Sequence, residues 1–288
     1  MIRACGPGDA AALDAFLAPH AATSMFLRGN LARFGLGKSD HPNATRYWCL
    51  PADGPIRAVL GLTNAGVALV QAPGASAADI RALTAGLAGQ EITGMTGDAA
   101  QIAVLLQALG LPAAALRADS TEPLYHLALA DLPPAGPAAL RPPREADRPL
   151  LAAWFRQYFR DIGFASPDPA QEDANLHSRT AAAISGASHC RLLEIDGQPV
   201  AMAGLNARVA TMVQVGGVYV PCAARGQGLG RAVTRALLAE ARQNGAAEAV
   251  LFANNPAAAR AYEGLGFTRI GSYRIVFLAR PVTPGGQP

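Results

Sequence analysis

Lysine is almost missing from this 288-residue chain: Lys38 is the only one, and arginine supplies the rest of the 24 basic residues. Charge of either sign is sparse, at 16% Asp, Glu, Lys and Arg, and aromatics make up only 6%. No concentrated basic stripe is present, which argues against a nucleic-acid partner. The net +3 is uneven: from Ala139 onward 16 Arg face 11 Asp and Glu, while residues 1–138 carry 8 basic and 10 acidic side chains. A modest basic excess in one half suits a small polyanionic ligand. The four cysteines, Cys5, Cys49, Cys190 and Cys222, contain no C-x-x-C pair, so neither zinc, another metal nor a redox motif is expected. Met1 to Pro7 lacks an apolar signal core, and no unbroken run of about 18 apolar residues is seen. A soluble cytoplasmic protein without membrane association is the expectation.

What is abundant is apolar material, 51% of residues, enough for the packed cores of two ordinary domains. The chain also resembles itself at an offset of 143. Asp53-Gly54-Pro55-Ile56-Arg57-Ala58-Val59-Leu60-Gly61-Leu62 aligns with Asp196-Gly197-Gln198-Pro199-Val200-Ala201-Met202-Ala203-Gly204-Leu205, and Val70-Gln71 falls on Val213-Gln214. In each copy Asp-Gly reads as a turn between apolar strands. Each half continues alike: a third strand (Val67 to Ala72; Met212 to Val220), a helix, a strand (Glu91 to Thr96; Glu248 to Phe252), a helix, and a last strand. Those last strands are expected at Leu124 to Leu129 and at Tyr273 to Leu278. Prolines and Gly136 between Leu132 and Pro143 read as a linker. The expected organisation is a first domain at 1–131, a Pro-rich linker at 132–138 and a second domain at 139–288.

The most informative segment is VGGVYVPCAARGQGLG, Val215 to Gly230. Val215 to Val220 is a β-branched and aromatic run, and Pro221 ends it. A helix follows, with Val233, Leu237, Leu238 and Ala241 at helical spacing and Gly245 as its stop. Between them lies Arg225-Gly226-Gln227-Gly228-Leu229-Gly230. Glycines let backbone approach a ligand, and free amides at a helix start face anions, so the loop suits a pyrophosphate, with Arg225 and Arg231 adding charge. A dinucleotide fingerprint would need glycine where Arg231 stands, and no Lys-Ser or Lys-Thr completes a P-loop. Paired Gly216-Gly217 inside a strand suggests a bulge or a close packing contact. Downstream, Asn255-Pro256 opens a second helix, and Asn255 and Tyr262 share a face seven residues apart.

The spacing Arg225-x-x-Gly228-x-Gly230 resembles the [RQ]-x-x-G-x-[GA] acetyl-CoA signature of the GNAT superfamily of N-acetyltransferases. Asn255, Ala258, Tyr262, Gly266 and Phe267 likewise match its N-x-x-A-x-x-x-Y-x-x-x-G-F segment. The motif match spans roughly Val215 to Phe267. The resemblance implies an α/β (α+β type) fold, here as two tandem GNAT-like domains, each a mixed, mostly antiparallel sheet flanked by helices. It also implies acetyl-CoA as co-substrate, bound by Val218, Tyr219 and Val220 of a splayed strand, by the loop Arg225, Gly226, Gln227, Gly228, Leu229, Gly230 and Arg231, and by Asn255, Ala258 and Tyr262. Tyr262 is then the acid that protonates the departing thiolate, the acceptor is an amine, and the protein is a monomer or homodimer. Core packing for Tyr262 and an N-cap role for Asn255 stay open beside these roles. The donor is acetyl or a longer acyl group.

No single residue stands out as general base: His177, His189, Glu194 and Gln214 are candidates. Trp154-Phe155-Arg156-Gln157-Tyr158-Phe159 is either an acceptor wall or core, and Ser24 to Leu31 reads as a helix burying Met25, Leu27 and Leu31. The first half has neither the Arg-x-x-Gly-x-Gly loop nor the tyrosine, and is expected to be a degenerate copy that binds no coenzyme A. The alternative function is a non-catalytic acyl-CoA sensor or partner-binding module.

Overall fold

The computed structural model describes residues 1–37, 39–134 and 139–285. Residues 135–138 of the expected linker lie outside that set, while Leu132 packs into a hydrophobic core. In chain order the regular elements are β1 (Arg3–Ala4), α1 (Ala10–Leu17), α2 (Ala21–Phe34), β2 (Thr45–Leu50), β3 (Ala58–Thr63), β4 (Val67–Gln71), α3 (Ala77–Leu83), β5 (Ile92–Asp98), α4 (Ala99–Ala108) and β6 (Leu116–Ala128). There follow β7 (Ala139–Arg141), α5 (Arg148–Asp161), α6 (Pro169–Ser185), β8 (His189–Ile195), β9 (Gln198–Val209), β10 (Met212–Tyr219), α7 (Leu229–Gln243), β11 (Glu248–Phe252), α8 (Pro256–Glu263) and β12 (Thr268–Val282). These elements form two compact units, one of residues 1–123 with 271–288 and one of residues 124–270.

The first unit carries the strand order β1-β2-β3-β4-β5-β12. Its neighbours are antiparallel except for the parallel pair β4–β5. On one face α3 and α4 bury Ile80, Leu83, Ile102 and Leu105 against Leu60, Val70, Met95 and Val276. On the other, α1 and α2 lay Leu13, Leu17, Leu27 and Leu31 on Tyr47, Val59 and Leu69. The expected burial of Met25, Leu27 and Leu31 is seen. The helical stretch Pro7–Phe34 has a mean hydropathy of 1.2 over its most apolar window, so by length and composition it is able to cross a membrane. Here the stretch is interrupted around Ala18–His20, carries the Arg28–Asp14 ion pair, and turns its leucines to the sheet.

The second unit repeats the pattern with β7-β8-β9-β10-β11-β6, again antiparallel but for the parallel pair β10–β11. Alternation divides its strands between two cores. Leu193, Ala201, Ala203, Val213 and Val215 meet Val233, Leu237 and Leu238 of α7 and Tyr262 of α8. Leu192, Met202 and Tyr219 meet Leu151, Trp154 and Phe155 of α5 and Leu176 of α6. Trp154 and Phe155 are therefore core residues. The two-residue turn of the duplicated hairpin is realised once: Asp196 and Gly197, with φ of 50° and 73°, join β8 to β9. In the first unit seven residues, 51–57, separate β2 from β3.

The boundaries depart from the expected 1–131 and 139–288. The strands expected to close each half are exchanged. Leu124–Ala128 of β6 pairs with β11, Leu124 opposite Phe252 and Ala128 opposite Glu248. Tyr273–Phe277 of β12 pairs with β5, Tyr273 opposite Asp98. A repeat in sequence records the local unit and carries no information about which copy receives its last strand, because both candidates are apolar enough to pair in either sheet.

At the β7 edge, Arg141 binds Asp147 through two hydrogen bonds of 2.6 and 2.9 Å and also holds Glu194. The Arg141 guanidinium lowers the Asp147 carboxyl below its usual range, against the opposing effect of burial. The folded-state value lies under the unfolded one, so this stabilisation is complete above the ordinary carboxylate range and is lost as pH falls through the folded-state pKa. The gap in melting temperature between wild type and Asp147→Asn should narrow as pH drops below about 4; a constant gap from neutral to acid would remove the pair from the stability of this edge. The strand exchange makes a second prediction. A fragment of residues 124–270 should melt cooperatively by circular dichroism, whereas 139–288, which lacks Leu124–Ala128, should not.

Candidate active site

In the second unit β10 and β11 stay paired from Met212 opposite Glu248 to Val215 opposite Leu251, where the ladder ends. β10 runs on to Tyr219, held from its other side by β9 with register shifts at Gln214/Val215 and Gly216/Tyr219. The expected bulge is present. A Cβ on Gly216 would stand 2.0 Å from the Asn206 amide nitrogen, so a close packing contact operates there as well. Among the described residues no β11 partner meets Gly216 to Tyr219, so the β11-facing main-chain groups of this half-buried stretch are open to another donor or acceptor.

The loop after β10 delivers a helix start with free amides. Gly228 is the N-cap of α7 with φ 77° and no side-chain cap. The first backbone bond into the helix is Ala232 N–H to Gly228 O at 3.0 Å, so the amides of Leu229, Gly230 and Arg231 precede it. Gly226 and Gly228 have left-handed φ near 78°, which side-chain-bearing residues adopt at a cost of about 1–2 kcal/mol. Gly230 differs. Its backbone is helical, and the nearest atom to a Cβ placed there is Val220 Cγ2 at 3.8 Å. Nothing within the chain demands glycine at 230, whereas a ligand pressed against the helix start would.

The side chains expected to meet the donor lie on one side of this opening. Val218, Val220, Leu229 and Ala258 all pack at the border of the core that holds Tyr262. Asn255 caps α8, its Oδ1 accepting the Ala258 N–H at 2.9 Å, so the N-cap role is realised. Tyr262 sits seven residues along α8, 6% exposed, with its ring 6.1 Å from that of Phe267. Tyr219 turns the other way, its ring 5.8 Å from Trp154. Only its backbone faces the gap. Burial pushes its phenol up.

Arg225 is not a free charge. Its guanidinium binds the Asp161 carboxylate at the end of α5, donates to Val220 O at 3.0 Å, and lies 5.8 Å from the Tyr219 ring centre. Burial alone would raise the Asp161 carboxyl, but hydrogen bonds from Gln157 and Arg225 outweigh it and lower it. Arg225 therefore fastens the loop. Asp161 and Asn206 shape the site without any spacing signal in the sequence, since their partners lie on other elements. Gln227 occupies the loop between two left-handed glycines and is exposed.

Of the candidate bases only Gln214 adjoins the end of the ladder, and its amide has no basic nitrogen. His189 Nε2 is 3.4 Å from Glu240 Oε1, outside hydrogen-bond geometry. Glu240 is 11 residues along α7 from Leu229, about 16 Å from the helix start. Burial lowers the His189 pKa. Glu194 is tied to Arg141, His177 is exposed on α6, and the buried Gln214 donates to Val215 O at 2.8 Å.

A bulged strand parting from a parallel neighbour, beside a glycine loop opening onto a helix, is an arrangement able to hold an extended ligand with an anionic group. Residues 149–267 match the model of the acetyltransferase (GNAT) family; this segment is a GNAT domain. No curated protein matches the sequence. Among solved structures, a Drosophila protein is similar with a TM-score of 0.63 at 14% identity, over 99% of each chain. A GCN5-related N-acetyltransferase from Sphaerobacter thermophilus gives 0.58 at 17% identity, over 100% of this chain and 97% of that one. A GNAT-family acetyltransferase from Colwellia psychrerythraea gives 0.55 at 13%, over 96% of this chain and 99% of that one. At such identities the likeness is one of fold.

Gly230→Ala separates folding from binding. Helix propensity favours alanine by up to about 1 kcal/mol, and the space for its methyl is open, so the melting temperature should hold or rise. Coenzyme A affinity, measured by isothermal titration, should fall; undiminished affinity would show that no ligand approaches residue 230.

Proposed function

We propose that the 149–267 domain transfers an acetyl group from acetyl-CoA to an amine by direct attack within a ternary complex. The observation that carries this reading is the end of the β10–β11 ladder at Val215, immediately before the loop whose α7 amides are free. Pantetheine lies along Gly216 to Val220 in place of the missing strand, and the diphosphate rests on the amides of residues 229–231. The amine nitrogen attacks the thioester carbonyl, and a β10 amide stabilises the tetrahedral oxyanion. The C–S bond then breaks, and Tyr262 donates a proton to the thiolate, whose conjugate thiol has a pKa near about 8.5. Water carries the amine proton away, in keeping with the ties of Glu194 to Arg141 and of Gln214 to the Val215 carbonyl.

The first unit is a degenerate copy of the same fold. In support, its strand order and the senses of its ladders repeat those of the second, while the start of its helix is closed. Ser76 accepts the Asp79 N–H, and the Asp79 carboxylate takes the Ser76 N–H at 3.0 Å. In α3 one helix-start amide, that of Asp79, is thus taken by the Ser76 hydroxyl, and the Asp79 carboxylate beside it repels phosphate. At the place of Tyr262, seven residues past the helix cap, α4 has the buried Leu105.

A sensor that binds acyl-CoA without turnover is the second reading, favoured by the deep packing of Tyr262. Thiol release from acetyl-CoA, followed against a panel of small amines and peptide N-termini, distinguishes them. Turnover with at least one amine is expected, with Tyr262→Phe lowering kcat by about 10²-fold or more while acetyl-CoA affinity holds. Binding without turnover on every amine would favour the sensor.

A further inference from the structure

Coenzyme A carries more charge than its diphosphate. The ribose bearing the diphosphate at its 5′ oxygen also bears a 3′-phosphate, close to a dianion at neutral pH. Main-chain amides are suited to the first group, but a phosphomonoester at the protein surface calls for guanidinium forks. The arginine of the glycine loop is not available for it, since Arg225 is committed to Asp161 and Val220.

Three arginines on α7 and α8 remain. Among the described residues no ion pair or hydrogen bond is seen for the side chains of Arg231, Arg235 or Arg260, whereas Arg141, Arg156, Arg191 and Arg225 of the same unit are each held by carboxylates. Arg231 belongs to the free-amide turn of α7, and Arg235 follows one turn later on the same flank. Arg231 leans onto α8: a Cβ on Gly264 would lie 3.3 Å from its Nη1 and 3.3 Å from the Arg260 carbonyl oxygen. Helices α7 and α8 thus bring three uncompensated guanidinium-bearing residues to one side of the proposed diphosphate cradle. Glu240, the acid of α7, is engaged with Arg191, and Glu263 of α8 accepts from Tyr125 at 2.8 Å.

We infer that Arg231, Arg235 and Arg260 bind the 3′-phosphate of the donor, so that the protein selects coenzyme A over its 3′-dephospho form. This rests on the donor reading above and adds to it a specificity that backbone amides do not confer. Arg231 serves both groups, its amide toward the diphosphate and its side chain toward the monoester.

Isothermal titration of the full chain with coenzyme A and with 3′-dephospho-coenzyme A tests it, using the wild type, the double variant Arg235→Gln/Arg260→Gln, and Arg235→Lys/Arg260→Lys. The wild type should bind coenzyme A about tenfold or more tightly than the dephospho form. The glutamine variant should bring coenzyme A down to the dephospho level while dephospho affinity changes by less than about twofold. The lysine variant should recover part of the preference. Equal wild-type affinity for the two ligands, or a variant that weakens both alike, would overturn the 3′-phosphate assignment and leave the donor reading standing. Absence of binding by either ligand would overturn that reading, and the assignment with it.

Discussion

The architecture of the second unit turns on a ladder that stops early. Two parallel strands with continuous pairing would leave no main-chain hydrogen-bonding capacity for anything else. By ending at Val215 opposite Leu251, β10 keeps its following residues anchored to β9 while presenting their other edge to a ligand. The local sequence enforces this. Gly216 and Gly217 let the strand bulge over Asn206, Pro221 cannot continue the pairing, and Tyr219 pins the parted strand to Trp154. The parted edge is held by packing on the α5 face.

The two units share a strand plan but differ at the start of the helix that follows the parallel pair. Both have a parallel pair in the same place in the sheet, followed by a turn and a helix. In the second, the helix begins on a left-handed Gly228 with no side chain to satisfy its amides. In the first, the Ser76 hydroxyl takes the Asp79 amide and the Asp79 carboxylate stands beside it. One cap stabilises a helix; the other leaves its positive end for an anion. The difference is a few side chains within a retained backbone plan, which separates the persistence of a fold from the persistence of its chemistry.

Much of this was readable from residues alone, because the signals are local. The glycine loop, the N-cap at Asn255 and the alternation of the strands depend on neighbours within a few positions, and the 143-residue offset marks the strand order that both units share. What could not be read are relations between distant parts. The clasp between Asp161 and Arg225 spans 64 residues, and an arginine in a phosphate-loop motif reads as a phosphate ligand until its carboxylate partner is known. The owner of each closing strand was illegible for the same reason: β6 and β12 have interchangeable patterns, and the choice is made by long-range pairing. The apolar character of Pro7–Phe34 was missed by counting unbroken runs, since scattered polar residues interrupt a segment whose average is still apolar.

The exchange of closing strands also sets an order on the nascent chain. Everything needed to complete the second unit's sheet has left the ribosome once residue 270 is out. The first unit, although synthesised earlier, must wait for Tyr273–Phe277 before β5 gains its outer neighbour. The amino-terminal unit is thus the last to be finished, with β5 an open edge in the interim, the kind of exposed strand that chaperones shield. A stop codon between residues 270 and 273 would spare the sheet of the second unit and leave β5 of the first without its outer neighbour.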